Sequence, residues 1–141
     1  MIDNIGISKL IVIPKTADET VTNSDAFQDD DTFVFALGAS EAYYFRLSVV
    51  IDSELATDFK FEFTSPAGST INYQNGTTYI NASGGDVTVT CSTDKRWITQ
   101  IFGSVINGAT AGNLQFRWAQ AAADVTNTIV CAGSIMELVK C

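Results

Sequence analysis

The chain has 141 residues, 46% of them apolar and 17% charged, with a formal net charge of −8 and no histidine. This is the length of a single domain, which buries roughly 68–70% of the surface its unfolded chain exposes and needs neither disulfide nor metal to stand. The acidic balance excludes a nucleic-acid partner and an anionic membrane surface, since both need clustered Lys and Arg and only Lys95 and Arg96 are adjacent.

In chain order, Met1-Ile2-Asp3-Asn4 lacks the basic and apolar regions of a signal peptide. The expectation is a protein made in the cytoplasm that does not leave by the standard secretory route. No apolar run reaches the ~18 residues a membrane helix requires. Residues 1–31 are the least regular part and read as an extended N-terminal arm, followed by a domain over 32–141. Within the arm, Leu10, Ile11, Val12 and Ile13 form an apolar run stopped by Pro14, an edge strand at best. The cluster Asp29-Asp30-Asp31 reads as a solvated turn entering a strand. Carboxylates in a loop can also bind calcium, but this spacing is not that of an EF-hand, and no glycine or late Glu completes one.

From Thr32 onward the period is two. Phe33, Phe35 and Leu37 alternate with Val34 and Ala36. Along 41–52, Tyr43, Phe45, Leu47, Val49 and Ile51 point one way, an all-apolar set that faces a core. In Phe59-Lys60-Phe61-Glu62-Phe63-Thr64 the three rings face inward and the polar residues face solvent, a separation that a 3.6-residue period cannot produce. Asn75-Gly76 supplies the positive φ angles of a tight turn and predicts a hairpin over Ile71–Tyr79. The stretch 95–106 is apolar on both faces: Trp97, Ile101 and Val105 on one, Ile98, Phe102 and Ile106 on the other. Such a strand is either central between two layers or buried against another subunit. Leu114, Phe116 and Trp118 face inward, with Gln115, Arg117 and Gln120 toward solvent; two last strands turn at Gly133. Nine to eleven short strands without a helix predict an all-β, two-sheet antiparallel sandwich of the jelly-roll type.

The residues offer little chemistry. Without histidine there is no Ser-His or Cys-His nucleophile pair, and no phosphate-cradling glycine loop is present. Carboxylate pairs such as Asp58 with Glu62, or Asp52 with Glu54, could hydrolyse glycosides in principle, but acids near turns are common in any acidic protein. No catalysis and no cofactor are expected. Cys91, Cys131 and Cys141 have no CxxC spacing, so no metal set is expected and free thiols are. Tyr44, Tyr73, Tyr79 and Trp97 could form a stacking platform for sugars, although most aromatic residues sit at inward positions.

Three segments carry a resemblance: Thr20-Val21-Thr22-Asn23-Ser24 running on to Phe27-Gln28-Asp29-Asp30-Asp31, then Asp58 to Gly68, DFKFEFTSPAG, and finally Leu114 to Gln120, LQFRWAQ, through Ala132-Gly133-Ser134. Together they resemble small structural proteins encoded in tailed-phage genomes, over residues 19 to 139. Phe27 departs from the Leu of that pattern, and Ala121-Ala122-Ala123 replaces a polar stretch. The resemblance implies a β-sandwich component of the virion. A capsid decoration or cement protein is expected, bound to the outer capsid surface and bridging neighbouring major capsid protein subunits, as a homotrimer. The alternative is a receptor- or glycan-binding domain of a head or tail fibre. The arm and the two-sided strand nominate Leu10, Ile11, Val12, Ile13, Trp97, Phe102 and Ile106 as candidate interface residues.

Overall fold

The computed structural model describes residues 8–53, 57–91 and 95–141. Side-chain alternation carries most of these residues into strands, and among the described residues no helix forms. The strands are β1 (Leu10–Pro14), β2 (Glu19–Thr22), β3 (Gln28–Leu37), β4 (Ala42–Ser53), β5 (Phe59–Thr64), β6 (Thr70–Asn75), β7 (Thr78–Ile80), β8 (Val87–Val89), β9 (Lys95–Ile106), β10 (Gly112–Gln120), β11 (Asn127–Val130) and β12 (Ile135–Lys140).

Their pairing is nested. β4 runs antiparallel to β9 from Ala42 opposite Ile106 to Ser53 opposite Lys95. β5 pairs with β8, β3 with β10, β1 with β12 and β2 with β11. The chain is therefore one long antiparallel hairpin: its first two rungs, β1–β12 and β2–β11, lie in one sheet, and from β3–β10 inward the rungs alternate between two sheets. That nesting is the jelly-roll arrangement, and the expected sandwich is the observed fold. The larger sheet runs β1-β12-β4-β9-β6-β7, with β11 joining β4 to β2; the smaller runs β3-β10-β5-β8. The β6–β7 hairpin, turned at Asn75-Gly76 with Gly76 at φ 56°, extends the larger sheet beyond β9.

The inward rows meet between the sheets. Tyr43, Phe45, Leu47, Val49 and Ile51 of β4 are buried, as are Phe59, Phe61 and Phe63 of β5 and Leu114, Phe116 and Trp118 of β10. Phe45 of the larger sheet lies 4.9 Å from Phe63 of the smaller, and Phe63 lies 5.2 Å from Tyr73. Each such ring contributes about 1.5–3 kcal/mol by leaving water.

Several expectations are corrected by the pairing. From Leu10 onward the segment taken as an arm belongs to the sandwich: β1 is an edge strand on β12, Val21 of β2 is buried, and β3 starts at Gln28. The boundary expected at residue 31 falls inside β3. Asp29-Asp30-Asp31 is strand rather than turn, so its side chains alternate. Asp30 points inward and is buried, while Asp29 and Asp31 are exposed. Glu62 and Gln120, expected in solvent, are buried as well. Arg117 Nη1 holds Glu62 Oε1 at 2.6 Å. Gln120 Oε1 accepts from the backbone of Ser24 and Asp124, and its Nε2 donates to Thr126 O, so the amide ties the β2–β3 loop to the β10–β11 loop.

Candidate docking face on the larger sheet

A strand exposes alternate residues, so each sheet presents one outer face. On the smaller sheet that face is charged. Asp29, Arg117 and Glu62 form a row across β3, β10 and β5, with Arg117 Nε 2.8 Å from Asp29 Oδ1. The Phe27 ring lies 4.7 Å from Lys60 Nζ, capping the row rather than opening it.

The larger sheet is the opposite. Its registers set Leu10, Val139, Tyr44 and Ser104 in one outward row, and Val12, Glu137, Arg46, Phe102 and Gln74 in the next. Ile98 stands beside Val50 and Ile106 beside Ala42. Among the described residues, eight of the ten exposed large apolar side chains lie on this sheet, and only Val34 lies on the smaller one. Tyr44 and Ile98 are each 65% exposed, so the face is open in the isolated chain rather than covered by a loop.

Charges on this face are matched in pairs. Arg46 Nε donates to Glu137 Oε2 at 3.0 Å, and Arg96 lies 3.6 Å from Asp52. At the rim Lys140 Nζ donates to Glu41 Oε1 at 2.6 Å. That hydrogen bond, with a second from Gly38 N, holds the Glu41 carboxyl below its ordinary value, and Glu41 in turn raises Lys140. Two shallow hollows flank Phe102. One of about 240 Å³ lies between Tyr44, Phe102 and Tyr79, over Asn72 and Ser104; the other, about 310 Å³, lies between Leu10, Tyr44, Phe102 and Val139.

The structure separates the nominated interface residues by strand parity. Leu10, Val12, Phe102 and Ile106 share the outer face, 47–59% exposed. Ile11, Ile13 and Trp97 are half-buried and pack against the core instead. Sequence reasoning missed Tyr44 as a member of this face, and it groups Ile98 with Phe102 and Ile106 on one side of β9 without nominating it. Their signal was a pair of long neighbouring strands with apolar residues at outward positions. Of the aromatic residues considered for sugars, Tyr44 and Tyr79 line one hollow, with the Tyr79 hydroxyl donating to Asn72 Oδ1 at 2.6 Å; Tyr73 is buried and Trp97 turns inward.

The candidate acids are engaged elsewhere. Asp58 Oδ1 accepts from Cys91 N at 2.9 Å and Glu62 is held by Arg117. Glu54 lies outside the described residues. Asp29, Asp30 and Asp31 diverge, and Asp30 spends its carboxylate on Lys15, two backbone amides and the Trp118 indole.

No family model and no curated protein matches the chain. Among solved structures it is similar to a chain of the tripod from the baseplate of bacteriophage Tuc2009, at 10% identity over 92% of this chain and 62% of that one, with a TM-score of 0.40. It is also similar to chains of the infectious bursal disease virus Gx strain (12% identity, 94% and 40% coverage, TM-score 0.31) and of that virus's subviral particle (9%, 96% and 40%, TM-score 0.30). The chain thus spans less than two thirds of each, and likeness at this level carries neither a family nor a role to it.

Proposed function

We propose that this chain is a structural component of a bacteriophage virion, a capsid decoration or cement protein on the outer head surface. It works by burying area: a homotrimer bridges neighbouring major capsid protein subunits and resists their separation. Interfaces of this kind commonly bury about 2,000 Å² or more. The observation that carries the reading is the open apolar face around Tyr44 and Phe102, its charges already paired within the chain. A surface built this way costs solubility unless an assembly covers it. The resemblance over residues 19–139 supports the phage setting.

Imaging of purified virions tests the proposal. A regular lattice of copies over the head is the expected result; copies confined to the tail, or none in the particle, would overturn it.

A second reading, a fibre domain that binds a host glycan, is favoured by one detail. The hollow between Tyr44, Phe102 and Tyr79 pairs ring faces with the uncharged polar groups of Asn72, Gln74 and Ser104, a combination suited to sugar rings and hydroxyls. A glycan array probed with the protein and with Tyr79→Ala discriminates the two readings.

A further inference from the structure

We infer that the outer face of the larger sheet is covered by other copies of this same chain, so that Tyr44 and Phe102 lie inside a closed homo-oligomer. The inference rests on the reading of the chain as an assembly subunit and names what covers that face.

Charge is the first argument. Arg46 with Glu137, Arg96 with Asp52 and Lys140 with Glu41 match three bases to three acids on this face and its rim, so the whole net charge of −8 resides on the rest of the chain. Copies that meet through this face bring no unpaired like charges together among the described residues, whereas the excess of acids lies elsewhere on the chain. A basic partner would be drawn to the acidic remainder instead.

Area is the second. The eight strands of the larger sheet hold 52 residues, which at ~3.4 Å per residue and ~4.8 Å between strands give a face of about 850 Å². That is the size of the roughly 800 Å² per partner that a stable interface needs.

Shape is the third. The face carries protruding side chains, Tyr44 and Phe102, next to hollows of about 240 and 310 Å³, so knobs and recesses sit on one surface. A surface that holds both can pack against its own copy, the basis of closed symmetric assemblies.

The test is sedimentation equilibrium of the full chain, with Phe102→Glu and Tyr44→Glu, and with Val34→Glu on the smaller sheet as control. The wild type and the control should have the mass of several chains, and each face variant the mass of one, with the strand circular dichroism of all four unchanged. A wild type with the mass of one chain at tens of micromolar, or an oligomer that survives both face variants, overturns the inference. Capsid binding measured in parallel separates this result from the functional reading. A single-chain wild type that binds capsids through Phe102 refutes self-association, and the homotrimer with it, but leaves the decoration role standing; an oligomer that never enters particles refutes the decoration role alone. A single-chain wild type whose Tyr44 hollow binds an oligosaccharide refutes both.

Discussion

Lys15 Nζ lies 3.0 Å from Asp30 Oδ2 with both side chains buried, and the contact joins the two sheets. Lys15 sits where the first and last strands of the larger sheet break together. Its N donates to Ser134 O and its carbonyl accepts from Gly133 N, so backbone pairing continues through the break while the side chain turns inward. Glu19 accepts from the same ammonium at 2.8 Å. Replacing Lys15 by Met leaves two neighbouring carboxylates without their cation. The expected loss is about 3–5 kcal/mol, read from urea unfolding at neutral pH. A loss under ~1 kcal/mol would show that the ion pair is dispensable.

Alkaline pH should unfold the protein: burial and the Glu41 carboxylate raise the Tyr43 hydroxyl, and two further groups act the same way. Burial pushes the Tyr73 hydroxyl up to about 12, and in the fold that hydroxyl donates to Gly85 O. Burial pulls Lys15 down, but hydrogen bonds to Glu19 and Asp30 outweigh it and raise the ammonium above its ordinary 10.5. Both folded values lie above the unfolded ones. Their contributions are therefore complete below pH 10 and are lost as pH climbs through the folded values. Phenolate absorbance should show one tyrosine ionising near pH 12, together with unfolding, and Tyr73→Phe should remove that component.

Gly103 is set by its neighbours across β4 and β6. A Cβ there would meet Phe45 Cζ at 2.2 Å and Asn72 O at 2.7 Å, and the second contact is backbone that cannot rotate away. Gly103→Ala should cost about 1–3 kcal/mol by overpacking, with a matching fall in the thermal midpoint. An unchanged midpoint would mean that β4 and β6 can give way beside β9 at this point.

Thiol accessibility checks the burial of the strand ends. Cys91 and Cys131 are buried, and burial pushes both thiols up; Cys141 is exposed. A disulfide reagent at neutral pH should titrate one thiol in the native protein and three in denaturant. Rapid reaction of a second native thiol would contradict the placement of β11 or of the end of β8.

Alternation made much of this fold legible. The inward rows of β4, β5 and β10 and the turn at Gly76 follow from residue type and period, because a strand can bury an apolar row only by exposing the other. Asp30, Glu62 and Gln120 were not legible. Each is buried because a partner from another strand or loop reaches it: Lys15 and Trp118, Arg117, and the backbone of Ser24 and Asp124 respectively. Polar side chains carry no local mark of a partner that lies fifty or more residues away in sequence, as Arg117 does from Glu62 and Ser24 from Gln120.

For the docking face the division is the same. Period two alone determined that Ile98, Phe102 and Ile106 share one side of β9, and that Leu10 and Val12 share one side of β1. Which side meets the other sheet, and which is left open, was decided only when β9 was placed between β4 and β6 and the smaller sheet closed over Ile101 and Val105. A strand apolar on both faces has no preference of its own, and the packing of its neighbours chooses which half is core and which half is left exposed.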